Sequence, residues 1–148
     1  MSTQLCTRTE IDPRGPRFGG TITTIVLAVA LITAGSTLST VLVAWQAVVF
    51  GLGAIVGLYA QPYGIVYRRI IGPRLAPPVA LEDAAPPRFA QAVGLVFMIV
   101  ALLSIALGAT AVASVAIGLA LAAAFLNAAF DFCLGCEMYL LGKRALVQ

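Results

Sequence analysis

A chain of 148 residues with 61% hydrophobic and only 10% charged residues, and a mean hydropathy of +1.02, falls outside the range of soluble domains and reads as an integral membrane protein. The net charge of +3 is not read as a nucleic-acid signal, because the basic residues border the apolar stretches, where Arg stems lie along lipid and their heads meet phosphates. The chain has no histidine and three cysteines. This excludes bis-His haem, Ser-His-Asp hydrolysis, zinc catalysis of the H-E-x-x-H type, His proton relays and an all-cysteine iron-sulfur site within this chain.

A helix needs about 20 mostly apolar residues to cross the hydrocarbon core. Arg8, Arg14 and Arg17 precede the first such stretch, Phe18 to Ala34. A cleaved signal peptide is the competing reading of that stretch, but Glu10 and Asp12 in the would-be n-region and the length of the run speak for a retained span. Gly35 to Thr40 is a link too short for anything but a hairpin, and Val41 to Ala60 follows as the second span. Gln61-Pro62-Tyr63-Gly64 breaks it before a short helix carrying Tyr67, Arg68 and Arg69. From about residue 68 to 88, Pro73, Pro77, Pro78, Pro86 and Pro87 predict an extended, semi-rigid linker. It is either a plain connection or a docking strap for a partner.

The third span, Phe89 to Gly108, and the fourth, Ala111 to Phe130, are joined by little more than Ala109-Thr110. All nine basic residues then fall on one side and both hairpin turns are uncharged, so the positive-inside bias places both termini in the cytoplasm. Trp45, Tyr59, Tyr63, Tyr67 and Tyr139 are expected as interfacial anchors. Gly53 and Gly57 in the second span, with Ala116, Ala120, Ala124 and Ala128 in the fourth, mark faces where helices approach closely.

The motif D-x-x-x-P-R-F occurs at Asp12 to Phe18 and again at Asp83 to Phe89, a shift of 71 residues. The expected fold is therefore all-α: a four-helix membrane bundle made of two repeated hairpins, one domain over residues 1–148 with repeats at about 12–72 and 83–143. Two-span units keep their orientation, so the halves would be related by an axis along the membrane normal. A Pro at a first helical turn with an interfacial Arg is the plainer reading of the motif.

Cys133-Leu134-Gly135-Cys136 stands where the last apolar stretch gives way to a charged tail. In a reducing compartment a C-x-x-C pair favours redox or metal chemistry over a structural disulfide, though cysteines are also small apolar residues that simply pack. The 71-residue shift matches Cys133 to Pro62. A helix break near Asp131 and Phe132 would make Cys133 a first-turn residue of a terminal helix, where free N–H groups and the helix dipole favour the thiolate. A helix running straight through would disfavour it. Asp131 is read as a proton acceptor for one thiol or a metal ligand, or else as an N-cap or a residue at the lipid boundary. Cys6 is a candidate third metal ligand beside Cys133, Cys136 and Asp131, or an incidental thiol.

Ile11 to Phe18, Arg74-Leu75-Ala76-Pro77-Pro78 with Leu81-Glu82-Asp83, Pro87 to Gln91 and Phe132 to Cys136 together resemble a bacterial membrane family catalogued as domain of unknown function 4395. The resemblance spans nearly the whole chain. It implies a small four-span protein of the bacterial cytoplasmic membrane, encoded near thioredoxin-like proteins or sulfurtransferases. The working expectation is a dithiol, with Cys133 attacking, Cys136 resolving and Asp131 accepting a proton, that exchanges electrons or sulfur with a soluble thioredoxin-like or rhodanese-like partner. No cofactor is assigned. An accessory subunit of a membrane complex, a homo-oligomer and a Cys/Asp metal site stand beside it as alternatives.

Overall fold

Four helices long and apolar enough to cross a membrane dominate the computed structural model, which describes residues 10–148. Cys6 and Arg8 lie outside the described residues. The helices are α1 (Arg14–Ile32), α2 (Thr37–Gly51, continued by a wider turn over Leu52–Val56), α4 (Ala85–Ala106) and α5 (Thr110–Phe130). At 1.5 Å per residue, spans of 19 to 22 residues are about 28–33 Å long, the thickness of a hydrocarbon core. Two short helices follow the even-numbered spans: α3 (Pro62–Val66) and α6 (Leu134–Val147).

Local chemistry sets the turns. Gly35, at φ 87°, and Gly108, at φ 76°, take the left-handed conformation that ends a helix without a Cβ penalty. Ser36 caps α2 by accepting a hydrogen bond from Ser39 N–H at 3.2 Å. The second span stops at Val56, earlier than the expected Ala60, because Gly57 turns the chain at φ 138°. A Cβ there would meet the Tyr59 ring at 2.8 Å. The break at Gln61-Pro62 is present too, with Pro62 opening α3.

α1 packs on α2 and α5, and α4 packs on the same two helices. The extended pieces β1 (Glu10–Ile11) and β2 (Glu82–Asp83) pair antiparallel, Glu10 opposite Asp83 and Ile11 opposite Glu82. This pairing sets the start of α1 beside the start of α4, so each spanning helix lies between neighbours of opposite direction. The Pro-rich segment is thereby tied down within the chain, and Arg14 Nη2 also donates to Ala76 O at 3.0 Å.

Leu27, Val43, Met98, Ala101 and Ile117 meet at the centre, with Ala116 and Ala120 admitting the close approach of α5. Ile25, Ile32, Val41, Val48, Val96, Leu103, Val115 and Leu119 are exposed. An apolar outer surface on this scale is a liability in water and ordinary against lipid.

Tyr63 and Tyr67 correct the expectation of interfacial anchors: they are only 6% and 4% exposed. Trp45 Nε1 donates to Tyr63 Oη at 2.9 Å, Tyr63 donates to Gln46 Oε1 at 3.0 Å, and Gln46 Nε2 donates to Thr23 Oγ1 at 3.2 Å. With water scarce, each polar group needs such a partner. The chain of bonds ties α2 to α1 and α3.

Candidate functional site

The last span breaks after Phe130. Asp131 takes the left-handed conformation, φ 54°, and Phe132 N–H bonds back to Leu126 O at 3.2 Å, closing the end of α5. The chain is extended at Cys133, which becomes the N-cap of α6: its Sγ accepts from Cys136 N–H at 3.3 Å, and Glu137 N–H donates to Cys133 O at 3.0 Å. The spacing of the motif brings the two Cα atoms to 5.1 Å, and the sulfurs are joined as a disulfide. Of the two alternatives, a break near Asp131 and Phe132 or a helix running straight through, the break is the one present. The cap of α6, however, is Cys133, and Asp131 instead ends α5.

Gly135 explains how α6 is held. A Cβ at that position would come 2.5 Å from Ala90 Cβ and 2.6 Å from Ala90 Cα, so only glycine lets α6 lie directly on α4. One turn further, Tyr139 meets Phe89 with ring centroids 5.8 Å apart. The disulfide faces a cavity of about 380 Å³ between the start of α4, the end of α5 and the start of α6. Cys133 and Cys136, both partly exposed, line it together with Asn127, Asp131, Gln91, Phe132 and Leu140. Glu82, Asp83 and Glu137 complete its charged lining. Asn127 Nδ2 donates to Pro16 O at 3.4 Å, which joins this end of α5 to α1.

Asp131 thus shares a cavity with both cysteines, and among the described residues no hydrogen bond joins its carboxylate to either sulfur. Among the described residues, no three Cys, Asp or Glu side chains gather to hold a metal ion. Cys133, Cys136 and Asp131 line one cavity, with the two sulfurs paired to each other. Cys6, the fourth candidate, lies outside the described residues.

A second cavity, of about 390 Å³, opens beside the start of α1 and the break after α2, lined by Asp12, Gln61, Tyr67, Arg68 and Arg88 among others. Gln61 is buried and its Nε2 donates to Gln91 Oε1 at 2.7 Å, so an amide pair stands between the two cavities. Here Asp12 accepts from the backbone N–H of Arg14 at 3.0 Å, from its guanidinium at 2.9 to 3.2 Å, and from Tyr67 Oη at 2.9 Å. The hydrogen bond from the Arg14 side chain, above all, holds the Asp12 carboxyl below its ordinary value of 3.8, against the opposing effect of burial. Sequence reasoning singled out Asp12 as the first residue of the repeated motif and as an acid in the would-be n-region, and Arg14 only as a basic residue before the first span. The signal for their pairing was the D-x-R spacing at a helix start, where a carboxylate meets free N–H groups.

Four helices of membrane length, with a cysteine pair at disulfide distance just beyond the last of them, are the features of a small multi-span membrane protein. The family model for Domain of unknown function (DUF4395) matches residues 11–144. The chain belongs to this family, which its residues already resembled. No curated protein and no solved structure matches the chain significantly.

Proposed function

We propose that Cys133 and Cys136 form a thiol-disulfide relay at the membrane surface, serving a soluble thioredoxin-like or rhodanese-like partner on the cytoplasmic side. The observation that carries this reading is the break at Asp131, which makes Cys133 the N-cap of α6. Its sulfur lies at the positive end of a 14-residue helix and accepts a backbone N–H, an arrangement that favours negative charge on sulfur. In the reduced state, the Cys133 thiolate attacks one sulfur of a partner disulfide. The partner's S–S bond breaks, a mixed disulfide forms and one partner thiolate leaves. Cys136, giving its proton to Asp131, then attacks Cys133 Sγ and expels the second partner thiolate. Two electrons pass to the partner, whose thiolates take up the proton held by Asp131 and one from solvent, equal to the one Cys133 released on forming its thiolate, and the disulfide seen in the structure is left. The reverse exchange reduces it again with a partner dithiol.

Thiol trapping in membranes at controlled redox potential tests this. Wild type should move between reduced and oxidised forms, Cys136→Ser should accumulate a mixed disulfide through Cys133, and Cys133→Ser should abolish both. Absence of any Cys133 disulfide across the accessible range of potentials refutes the relay.

The same reading takes the protein as a resident of the bacterial cytoplasmic membrane with both termini inside, supported by the clustering of basic residues away from the two uncharged turns. Single cysteines placed at Gly35 and Gly108 in a chain without native cysteines should then react with an impermeant maleimide from outside, and one at Gln148 should not. Reaction at Gln148 alone inverts the orientation.

The two-hairpin repeat is supported by several pairs of features 71 residues apart. Ile11 faces Glu82 across the strand pair. Asp12 accepts from Arg14 N–H, as Asp83 accepts from Ala85 N–H, each at 3.0 Å. Arg17 donates to Ala128 O at the end of α5, and Arg88 donates to Ala54 O near the end of the second span. Several lining residues of the two cavities are also 71 residues apart, among them Asp12 and Asp83, Pro16 and Pro87, and Gln61 and Phe132. In the sequence, Pro62 and Ile65 stand 71 residues before the two cysteines.

A further inference from the structure

The dithiol cavity concentrates the chain's negative charge. Of six acidic residues in the whole sequence, four, Glu82, Asp83, Asp131 and Glu137, line it, and no Lys or Arg does. This runs against the net charge of +3 and differs from the other cavity, whose lining balances Glu10 and Asp12 with Arg68 and Arg88. The basic side chains on adjoining elements are directed elsewhere. Arg17 donates to Ala128 O at 3.3 Å, and Arg88 donates to Ala54 O and Ile55 O at 2.8 Å each. Lys143 and Arg144 lie further along α6 and do not line the cavity. The carboxylates come from two directions, with Glu82 and Asp83 on the strap before α4 and Asp131 and Glu137 flanking the cysteines. All four are exposed, so an incoming group meets their field before it meets sulfur.

From this placement, and resting on the relay reading above, we infer that the partner of Cys133 and Cys136 presents its reacting sulfur from a positively charged face, and that anionic thiols are rejected. The redox couple is the site, and the carboxylates set which partners reach it. Thiol-disulfide exchange makes this discrimination strong, because the attacking thiolate already carries one negative charge. A partner whose remaining surface is also anionic is repelled twice. One with a cationic rim is drawn in, and fields of this kind change association rates by about 10-fold to 1,000-fold at low salt. Screening shortens their reach to about 10 Å at 0.1 M salt, so the preference is a low-salt effect.

The test uses the full chain, oxidised, in lipid nanodiscs. Reduction of the disulfide by cysteamine, 2-mercaptoethanol and 3-mercaptopropionate is followed by acid quenching and alkylation. Each rate is divided by the rate of the same thiol with an uncharged disulfide, which removes differences in intrinsic reactivity. Normalised rates should fall in the order cationic, neutral, anionic, spanning about tenfold at low salt and shrinking to within about twofold at 0.5 M. The double substitution Glu82→Gln with Glu137→Gln should change the cysteamine rate least, raise the 2-mercaptoethanol rate, raise the 3-mercaptopropionate rate most, and so reduce the span to about threefold. Equal normalised rates, the opposite order, or a span indifferent to salt and to the double substitution overturns the inference while leaving the relay standing. A disulfide that none of the three thiols reduces overturns both.

Discussion

Replacing Gly135 by alanine puts the packing beneath the cysteine pair to a direct test. The new Cβ would lie 2.5 Å from Ala90 Cβ and 2.6 Å from Ala90 Cα, where carbon atoms ordinarily rest at about 3.5–4.0 Å. The start of α6 must then withdraw from α4 by about 1 Å or more, because half of the collision is with backbone. Forcing a methyl into a closed interface typically costs about 1–3 kcal/mol, and the upper part of that range is expected here. Ala90→Gly should not rescue the variant, since the collision with the backbone of residue 90 remains. Gly142→Ala on the same helix is the control: nothing lies within 4 Å of its added Cβ, so it should be neutral or stabilising by up to about 1 kcal/mol through helix propensity. Denaturant midpoints in detergent micelles, with rates of alkylation of the reduced cysteines, measure both effects. If Gly135→Ala and Gly142→Ala behave alike, α6 does not lie on α4 as described, and the wall of the dithiol cavity is misassigned.

Tyr63→Phe removes the acceptor of Trp45 and the donor to Gln46 inside the bundle, and the loss of stability should be about 1–3 kcal/mol. Adding Gln46→Leu should cost less than the sum of the two single changes, as a double-mutant cycle of midpoints would register. Asp131 adopts a left-handed conformation that costs a β-branched residue far more than glycine. Asp131→Gly should therefore equal or exceed wild type in stability while slowing disulfide closure, and Asp131→Val should be impaired in both; closure as fast in Asp131→Gly as in wild type would remove the carboxylate from the proton-transfer role. Because the Asp12 carboxyl is held below its ordinary value by Arg14, its contribution to stability is fully present above about pH 4 and is lost as the pH falls through the lowered folded value. Midpoints measured on acidification should fall less steeply for Asp12→Asn than for wild type.

The membrane-length helices were legible because spanning is a property of local composition: runs such as Val41 to Val56 and Ala111 to Phe130 must hide their backbone polar groups in a helix wherever they stand. The break at Asp131 was legible only as one of two alternatives, through the 71-residue match of Cys133 to Pro62, because the end of an apolar run does not by itself end a helix. The identity of the cap was not, because an aspartate and a cysteine can each end or begin a helix, and only the path of the chain assigned Asp131 to α5 and Cys133 to α6. Tyr63 and Tyr67 were misread for want of the fold. A tyrosine near a span end has the same sequence signature whether it faces headgroups or turns inward, and the bends at Gly57 and Gln61 turned these two inward. The family, the spans and the cysteine motif thus belong to the sequence alone. The packing of Gly135 on Ala90 and the gathering of Glu82 and Asp83 around a disulfide 50 residues further on belong to the tertiary structure, because they depend on helix α6 folding back onto a helix that the chain had already left.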